Sequence, residues 1–279
     1  MTELELQQAF ADAAELLTQT DGIVITAGAG IGVDSGLPDF RGNTGFWNAY
    51  PELGRRGLSF SEIASPRMFK SAPRLAWGFY GHRLNLYRST VPHQGFAMLQ
   101  EIAASIPYGA RIFTSNVDGQ FQKAGFPSEY VTECHGSIHV LQCLNQCGEP
   151  VWSAAGIEPE IDEPRCELVS EIPCCPNCGG VARPNILMFG DWAWDETRTI
   201  VQESRLKTWL AKIRQPTVIE LGAGTAIPTV RLFGAELNCP MIRINPTDAT
   251  VGLARNIAIE SGALDGITGI VEAWRAVGL

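Results

Sequence analysis

The chain has 279 residues, of which 45% are hydrophobic and 18% are charged. This length suits one large domain or a main domain with a small insert, and the composition is typical of a globular protein. The formal net charge of -9 disfavours nucleic acid as a partner, because phosphate contacts need lysine and arginine. We also expect no membrane partner, since the sequence contains no apolar run long enough to span a bilayer.

The N-terminal stretch, residues 1–17, predicts an amphipathic helix rather than a targeting signal. It carries acidic residues and an apolar stripe with helical spacing, whereas a secretory signal needs positive charge before an unbroken apolar segment. We therefore expect the protein to be cytoplasmic. In a reducing compartment, the eight cysteines indicate a metal site before they indicate disulfides.

Apolar runs and helical patterns alternate along the rest of the chain. This alternation predicts an α/β fold, with a Rossmann-like parallel sheet covered by helices on both faces. The predicted strands are 23–26, 111–115, 130–133, 217–222 and 241–245, and the predicted helices after the first are 73–88, 92–106, 121–124, 195–213 and 267–277.

The first predicted strand runs directly into glycine, at Gly28-Ala29-Gly30. A buried strand followed by Gly-x-Gly is typical of loops that bring backbone N–H groups to a phosphate. The match to the dinucleotide fingerprint is incomplete, because Val33 stands where its third glycine belongs. The loop then continues into 38–42, with one acid, one base and one aromatic residue, instead of starting a helix at once. We interpret this tail as a cover over a ligand.

Polar residues or glycine lie at the end of each predicted strand or just past it: Gly28, Asn116, His135, Gly222 and Asn245. The carboxyl ends of parallel strands lie at one edge of the sheet, which is where open α/β sheets bind ligands. The sequence therefore predicts a binding site along this edge.

Two cysteine pairs predict a structural zinc site. Cys143 and Cys147 form the first pair, Cys175 and Cys178 the second, and a glycine follows each pair. Two thiolates from each of two tight turns give the tetrahedral site that zinc prefers, with no position left open for catalysis. Cys174 is an alternative to Cys175, although the two-residue spacing of Cys175 makes the tighter turn.

Local changes in amino-acid composition also predict how the chain divides into domains. Residues 137–183 are dense in cysteine, proline and glycine, and they indicate an inserted zinc-binding module. Residues 1–136 and 184–279 would then form a discontinuous Rossmann-like domain, and residues 43–91 would form a helical segment.

A series of motifs extends from about residue 20 to 275. They are Gly28-Ala29-Gly30, Ser35-Gly36, Pro38-Asp39-Phe40-Arg41-Gly42, Thr114-Ser115-Asn116-Val117-Asp118-Gly119, Glu133-Cys134-His135-Gly136-Ser137, the two cysteine pairs, and Arg183-Pro184-Asn185-Ile186-Leu187-Met188-Phe189-Gly190-Asp191. No single motif is decisive, but together and in this order they are specific, and the series resembles the sirtuin (Sir2) family of NAD-dependent protein deacylases.

The resemblance implies that NAD is a co-substrate and that the acyl group of a lysine side chain is transferred to ADP-ribose, with release of nicotinamide. It implies that residues 1–136 and 184–279 form the NAD-binding domain, and that the helical segment 43–91 lies near the acyl and cofactor pocket. It implies that Asn116 and Asp118 hold the nicotinamide and its ribose, and that His135 is the general base. An imidazole suits that role because its ordinary pKa lies close to neutrality. The implied cofactor-binding residues are Gly28, Ala29, Gly30, Asp39, Phe40, Arg41, Ser115, Asn116, Asp118, Gly222, Ala223, Gly224 and Asn245.

The resemblance also implies an acyl-lysine protein or peptide substrate. Its main chain would pair with 186–188, in the β-augmentation mode, and the substrate strand would comprise Ile186, Leu187, Met188, Phe189 and Gly190. Tyr80 and Arg83, three residues apart on a predicted helix, resemble the pair with which desuccinylase-type sirtuins bind acidic acyl groups. The alternative is a helix pair with no ligand.

The sequence departs from the family pattern at several positions. Gly32 replaces a serine of the family's cofactor loop, Ser115 replaces a glutamine, and Gly222-Ala223-Gly224 replaces Gly-Thr-Ser. The changes at Ser115 and Gly222-Ala223-Gly224 keep other functions open. An ADP-ribosyltransferase or NAD hydrolase on the same fold is the first alternative. A non-catalytic sensor of NAD or ADP-ribose is the second, and the presence of His135 disfavours it.

Overall fold

The computed structural model describes residues 1–39, 42–253 and 255–277. Over these residues the helices are α1 (Glu3–Thr18), α2 (Gly42–Ala49), α3 (Pro51–Arg55), α4 (Phe60–Ile63), α5 (Pro66–Ser71), α6 (Pro73–Ser89), α7 (Gly95–Ser105), α8 (Gln120–Lys123), α9 (Thr197–Leu210), α10 (Thr229–Glu236) and α11 (Ala263–Ala276). Among them, none is both long and apolar enough to cross a membrane.

The strands form one large sheet and two small ones. They are β1 (Gly22–Ala27), β2 (Ala110–Thr114), β3 (Val131–Glu133), β4 (Gly136–Cys143), β5 (Trp152–Ser153), β6 (Ile161–Asp162), β7 (Glu167–Leu168), β8 (Ala182–Ile186), β9 (Pro216–Leu221), β10 (Met241–Ile244) and β11 (Ile257–Ile259). The large sheet has the order β11-β10-β9-β1-β2-β3, and every neighbouring pair in it is parallel. This order places the topological switch point between β1 and β9, where open α/β sheets bind ligands.

Helices cover both faces of the large sheet, which confirms the predicted fold class. Successive residues of β1 point to opposite faces. Ile23 and Ile25 belong to a core with residues of α1, α7 and α11, whereas Val24 belongs to a smaller core with Leu206 and Trp209 of α9. The strand is buried throughout because it is apolar on both sides.

A second core joins the helices of 42–89 to the inserted segment. It includes Phe46 and Trp77 from the helices, and Leu141 and Leu168 from the insert. The indole nitrogen of Trp77 donates to the Ala182 carbonyl at 2.9 Å. Glycine is required at residue 78, because a Cβ there would lie 2.0 Å from the Cys166 carbonyl oxygen. Helix α6 and the insert therefore stabilise each other.

Candidate active site

Glycine allows the loops after β1 and β9 to meet at the switch point. The N–H of Gly28 donates to the Leu221 carbonyl at 3.0 Å, and that of Gly30 donates to the Gly222 carbonyl at 3.1 Å. A Cβ on Gly30 would lie 2.7 Å from the Gly222 Cα. The glycines therefore bring two backbones together at the edge of the sheet, the kind of place that binds the phosphates of a dinucleotide.

A short 3-10 helix, Ala29–Ser35, follows the first glycine loop, so the expectation that no helix starts at once was wrong. His93 holds this helix in place. Its Nδ1 accepts from the Gly95 N–H at 3.0 Å, so its Nε2 carries the proton and donates to the Ile31 carbonyl at 2.9 Å. The Ser35 hydroxyl accepts from the His93 N–H at 2.9 Å.

Asn116 lies just beyond β2 and links the second strand end to the first. It is buried, and its side-chain amide donates to the Gly28 carbonyl at 3.0 Å. Its own N–H donates to the Thr114 hydroxyl at 3.0 Å. Ser115, beside it, donates its backbone N–H to the Ala27 carbonyl.

Asp118 is half-buried, and its carboxyl group has a raised pKa. Burial raises its pKa from 3.8 to about 6, and the negative charge of Glu133 contributes in the same direction. The N–H of Gln120 donates to its Oδ1 at 2.8 Å, which opposes the rise. Residue 139 orients the same loop, because the His139 Nε2 lies 2.9 Å from the Asp118 carbonyl oxygen. A carboxyl group that titrates near neutrality is typical of functional sites.

His135 lies between β3 and β4 and is half-buried. Burial lowers the pKa of its imidazole, so the neutral form that acts as a base predominates at neutral pH. Its Nε2 is 3.3 Å from the hydroxyl oxygen of Thr229, the first residue of α10. Its carbonyl accepts from the Leu187 N–H at 3.0 Å. The residue therefore connects the edge of the large sheet to the segment after β8.

The loop of Gly222, Ala223 and Gly224 lies beside the loop after β10. The Ala223 carbonyl accepts hydrogen bonds from Asn245 Nδ2 at 3.1 Å and from Arg231 Nε at 3.0 Å. Asn245 is buried, and its Oδ1 accepts from the N–H groups that follow it in the chain.

Tyr80 and Arg83 lie within the second core. Arg83 is 8% exposed and Tyr80 is 1% exposed. The Arg83 guanidinium carbon lies between 5.2 and 5.8 Å from the ring centroids of Phe79, Tyr80 and Tyr87. Its Nε and Nη2 donate to the Tyr87 hydroxyl at 2.9 and 2.6 Å. Tyr87 was not among the predicted site residues, although a residue four positions after Arg83 on a helix is a natural neighbour.

The segment after β8 alternates between buried and exposed side chains. Ile186 and Met188 are buried, whereas Leu187 and Phe189 are exposed. The Phe189 N–H donates to the Ala64 carbonyl at 3.0 Å. The Met188 N–H lies 3.4 Å from an Asp191 carboxylate oxygen, and Gly190 adopts a φ of 65°. The chain therefore presents two apolar side chains outward just after β8 and then turns at residues 189–190.

The four predicted zinc ligands converge in the insert. The sulfur atoms of Cys143, Cys147, Cys175 and Cys178 lie within 4.8 Å of one another, close to the separation of about 3.8 Å that Zn–S bonds of 2.3 Å give in a tetrahedron. Backbone N–H groups donate to the sulfurs of Cys143 and Cys178. Cys174 is instead exposed and donates to the Ile172 carbonyl. The donor set therefore fits one zinc ion, and the cluster contains Cys175.

Two predicted cofactor-binding residues, Phe40 and Arg41, lie outside the described residues. Asp39, which immediately precedes them, is half-buried. The structure also adds residues that the sequence analysis did not select, Thr229 and Arg231 among them. Both come close to predicted site residues only through the packing of α10, so their spacing in the sequence gave no signal.

The fold and the site define a class of protein. It is a Rossmann-like α/β protein with glycine loops at its switch point and an insert that holds four clustered thiols.

Comparison with known proteins identifies the family within this class. The Sir2 family model matches residues 28–211, and the chain belongs to this family. An NAD-dependent protein deacylase of Aquifex aeolicus is 30% identical over 256 residues, which cover 91% of this chain and 95% of that protein. The mitochondrial NAD-dependent protein deacylase sirtuin-5 of Danio rerio is 31% identical over 77% of this chain and 73% of its own length. The predicted family and enzyme class, an NAD-dependent protein deacylase, are confirmed.

Solved structures agree on the fold. A Sir2 homologue in complex with NAD superposes with a TM-score of 0.68 at 23% identity, covering 99% of this chain and 95% of that one. Another Sir2 enzyme superposes with a TM-score of 0.69 at 25% identity, covering 97% of this chain and 99% of that one.

Proposed function

We propose that this protein removes acyl groups from lysine side chains of proteins, with NAD as co-substrate. The observation that supports the proposal is the hydrogen bond from the Asn116 side chain to the Gly28 carbonyl, which ties the end of β2 to the first glycine loop. Asp118 lies two residues further along the same loop, and His135 follows the next strand of the sheet, β3. In the balanced reaction, acyl-lysine, NAD and water give free lysine, nicotinamide and O-acyl-ADP-ribose.

The glycine loops fit the pyrophosphate of NAD. At Gly28 and Gly30 the neighbouring backbone already occupies the space that a Cβ would need, so the edge is formed by bare main chain. Backbone N–H groups at such an edge bind phosphate without a positively charged side chain. The N–H groups of Gly28 and Gly30 are bonded to the carbonyls of Leu221 and Gly222, so the phosphates would bind other backbone N–H groups of this edge. Asn116 is fixed against Gly28 by its side-chain amide, which sets its position relative to the loop.

His135 and Asp118 differ in the charge they carry at neutral pH. The lowered pKa of His135 makes it a neutral base, suited to taking a proton from a ribose hydroxyl. Asp118, with a pKa of about 6, is mostly ionised at pH 7 and accepts hydrogen bonds. We assign proton transfer to His135, and binding of the nicotinamide and its ribose to Asn116 and Asp118.

We further propose that the acyl pocket accepts acidic acyl groups such as succinyl. The support is the position of Arg83, a buried cation enclosed by aromatic rings next to Tyr80. A guanidinium removed from water binds a carboxylate more strongly than an exposed one, because solvent no longer screens the pair. The substrate main chain would lie along 186–190, where Leu187 and Phe189 offer apolar contacts.

We assign a structural role to one zinc ion held by the four clustered cysteines. When bound, zinc supplies cross-links between β4, the turn after it and the Cys175–Cys178 turn. The site lies in the insert, and a closed set of four thiolates leaves no coordination position for a substrate.

The deciding experiment measures nicotinamide release from NAD with and without acyl-lysine peptides. We expect release that depends on the acylated peptide and yields O-acyl-ADP-ribose by mass spectrometry. The His135→Ala variant should lose at least about 100-fold in rate, since general-base catalysis contributes on the order of 10²–10⁴. Release that is equally fast without peptide would instead indicate NAD hydrolysis or ADP-ribosyl transfer.

A further inference from the structure

Between β9 and α10, the loop of residues 222–224 has no polar side chain. Gly222, Ala223 and Gly224 offer a ligand only their backbone groups. The direction of each peptide plane therefore decides whether an N–H or a carbonyl faces a bound anion or ribose. The side chains that fix the orientation of these peptide planes therefore determine how tightly the loop binds an anion or a ribose.

Arg231 holds one of these planes. Its Nε donates to the Ala223 carbonyl at 3.0 Å, on the same oxygen that accepts from Asn245. A trans peptide is planar, with its C=O and N–H antiparallel. Because the Ala223 carbonyl points toward Arg231, the N–H of Gly224 in the same peptide must point away from it.

The same arginine also fixes the loop after β10. Its Nη2 donates to the Asp248 carbonyl at 2.8 Å, and its Nη1 lies 3.1 Å from the Asp248 carboxylate. The Arg231 side chain is 13% exposed, and its Nε is 3.9 Å from the buried Glu220 carboxylate. The Arg231 guanidinium therefore bridges the loops after β9 and β10, which are neighbouring strands. Its N–H donors lie in a fixed planar fork, so that it can make several directed hydrogen bonds at once.

We infer that Arg231 is a positioning residue for cofactor binding, which orients the backbone of 222–224 toward the ADP-ribose part of NAD. The inference rests on the proposed function, because it needs NAD at this edge of the sheet. Arg231 touches no reacting atom in this proposal. It acts through the Ala223 carbonyl, so its loss should weaken binding of the cofactor and leave the chemical step intact.

The test is the Kd for ADP-ribose, by calorimetry on the full chain, for Arg231→Met and a matched control, Arg243→Met. Arg243 belongs to the same ionic network, with its Nε 2.5 Å from Glu220 Oε1, but it donates to the Thr250 carbonyl rather than to the 222–224 loop. We expect Arg231→Met to raise the Kd about tenfold, the effect of one well-placed hydrogen bond to a charged ligand. Arg243→Met should stay within about twofold of the wild type.

Kinetics and a second variant separate positioning from stability. Arg231→Met should raise the KM for NAD about tenfold, with kcat and the KM for the acylated peptide unchanged. Arg231→Lys keeps the charge beside Asp248 but not the fork, so it should fold like the wild type and still bind ADP-ribose more weakly. Unchanged ADP-ribose binding in both Arg231 variants, or an equal loss in Arg243→Met, would overturn the inference. A wild-type protein that binds neither ADP-ribose nor NAD would instead overturn the proposed function.

Discussion

Replacing Asp118 with asparagine should stabilise the protein at neutral pH and lower its activity. The pKa of this carboxyl rises from 3.8 to about 6 on folding, mainly because burial penalises its charged form. The native state therefore binds the proton more tightly than the unfolded state, and stability falls as the pH rises from about 4 to about 6. Asparagine has no charge to bury, and its side-chain oxygen can still accept from the Gln120 N–H.

The pKa change sets the size of the effect. A rise of about two units at about 1.4 kcal/mol each gives roughly 3 kcal/mol as an upper figure. Because Asp118 is only half-buried, solvent screening reduces this figure, and we expect a gain of roughly 1–3 kcal/mol at pH 7.5. At pH 4, where the native carboxyl is protonated, the gain should be close to zero.

Urea denaturation of both proteins at a series of pH values measures this difference. Asp12→Asn, on an exposed position of α1, controls for the substitution itself. Two results would refute the reasoning: a variant that is less stable than the wild type at pH 7.5, or a stability difference that is the same at pH 4 and pH 7.5. Deacylation by the variant should fall, because the carboxylate proposed to bind the nicotinamide riboside is gone.

Two further predictions concern the acyl pocket and the zinc site. Arg83→Met should lower kcat/KM for a succinyl-lysine peptide roughly 10- to 150-fold, the value of a hydrogen bond to a charged group. The kcat/KM for the acetyl peptide should change little, so the ratio of succinyl to acetyl kcat/KM should fall. Arg88→Met, on the same helix, should leave this ratio unchanged. An unchanged ratio in Arg83→Met would contradict the assignment of the acyl pocket. Elemental analysis should find one zinc per chain, and Cys175→Ser should lose it and unfold roughly 5–10 °C lower. Cys174→Ser should retain zinc and stability, and equal zinc loss in both variants would reject the chosen ligand set.

The sequence predicted the large sheet well because its strands carry unambiguous signals. β1 is an uninterrupted apolar run that is buried on both faces, and it ends at glycine, so its type and its end are both visible in the sequence. The short strand β11 was missed, because three residues (Ile257–Ile259) are too few to show a pattern. Helix α7 begins at Gly95 rather than at Pro92, so proline marked the approach to this helix and not its first residue.

The thiol cluster was also predictable, because a tight turn fixes the relative position of two cysteines from local sequence alone. The contacts of Arg231 and Thr229 were not. Both residues lie on α10, and each meets its partner through the packing of this helix against strand ends. His135 is 94 positions from Thr229, and Ala223 is eight positions from Arg231 with a loop between them. No local spacing encodes such a contact, so only the folded chain reveals it.

The missing third glycine of the dinucleotide fingerprint has a physical explanation in the fold. In that fingerprint the third glycine lets a helix pack closely against the first strand. Here the corresponding residue, Val33, lies on a short 3-10 helix and is 44% exposed. A side chain that faces solvent needs no glycine, and His93 fixes the 3-10 helix by its bond to the Ile31 carbonyl instead. The first two glycines remain necessary because they meet the β9 loop backbone to backbone. The sequence thus departs from the fingerprint only where the fold no longer needs it.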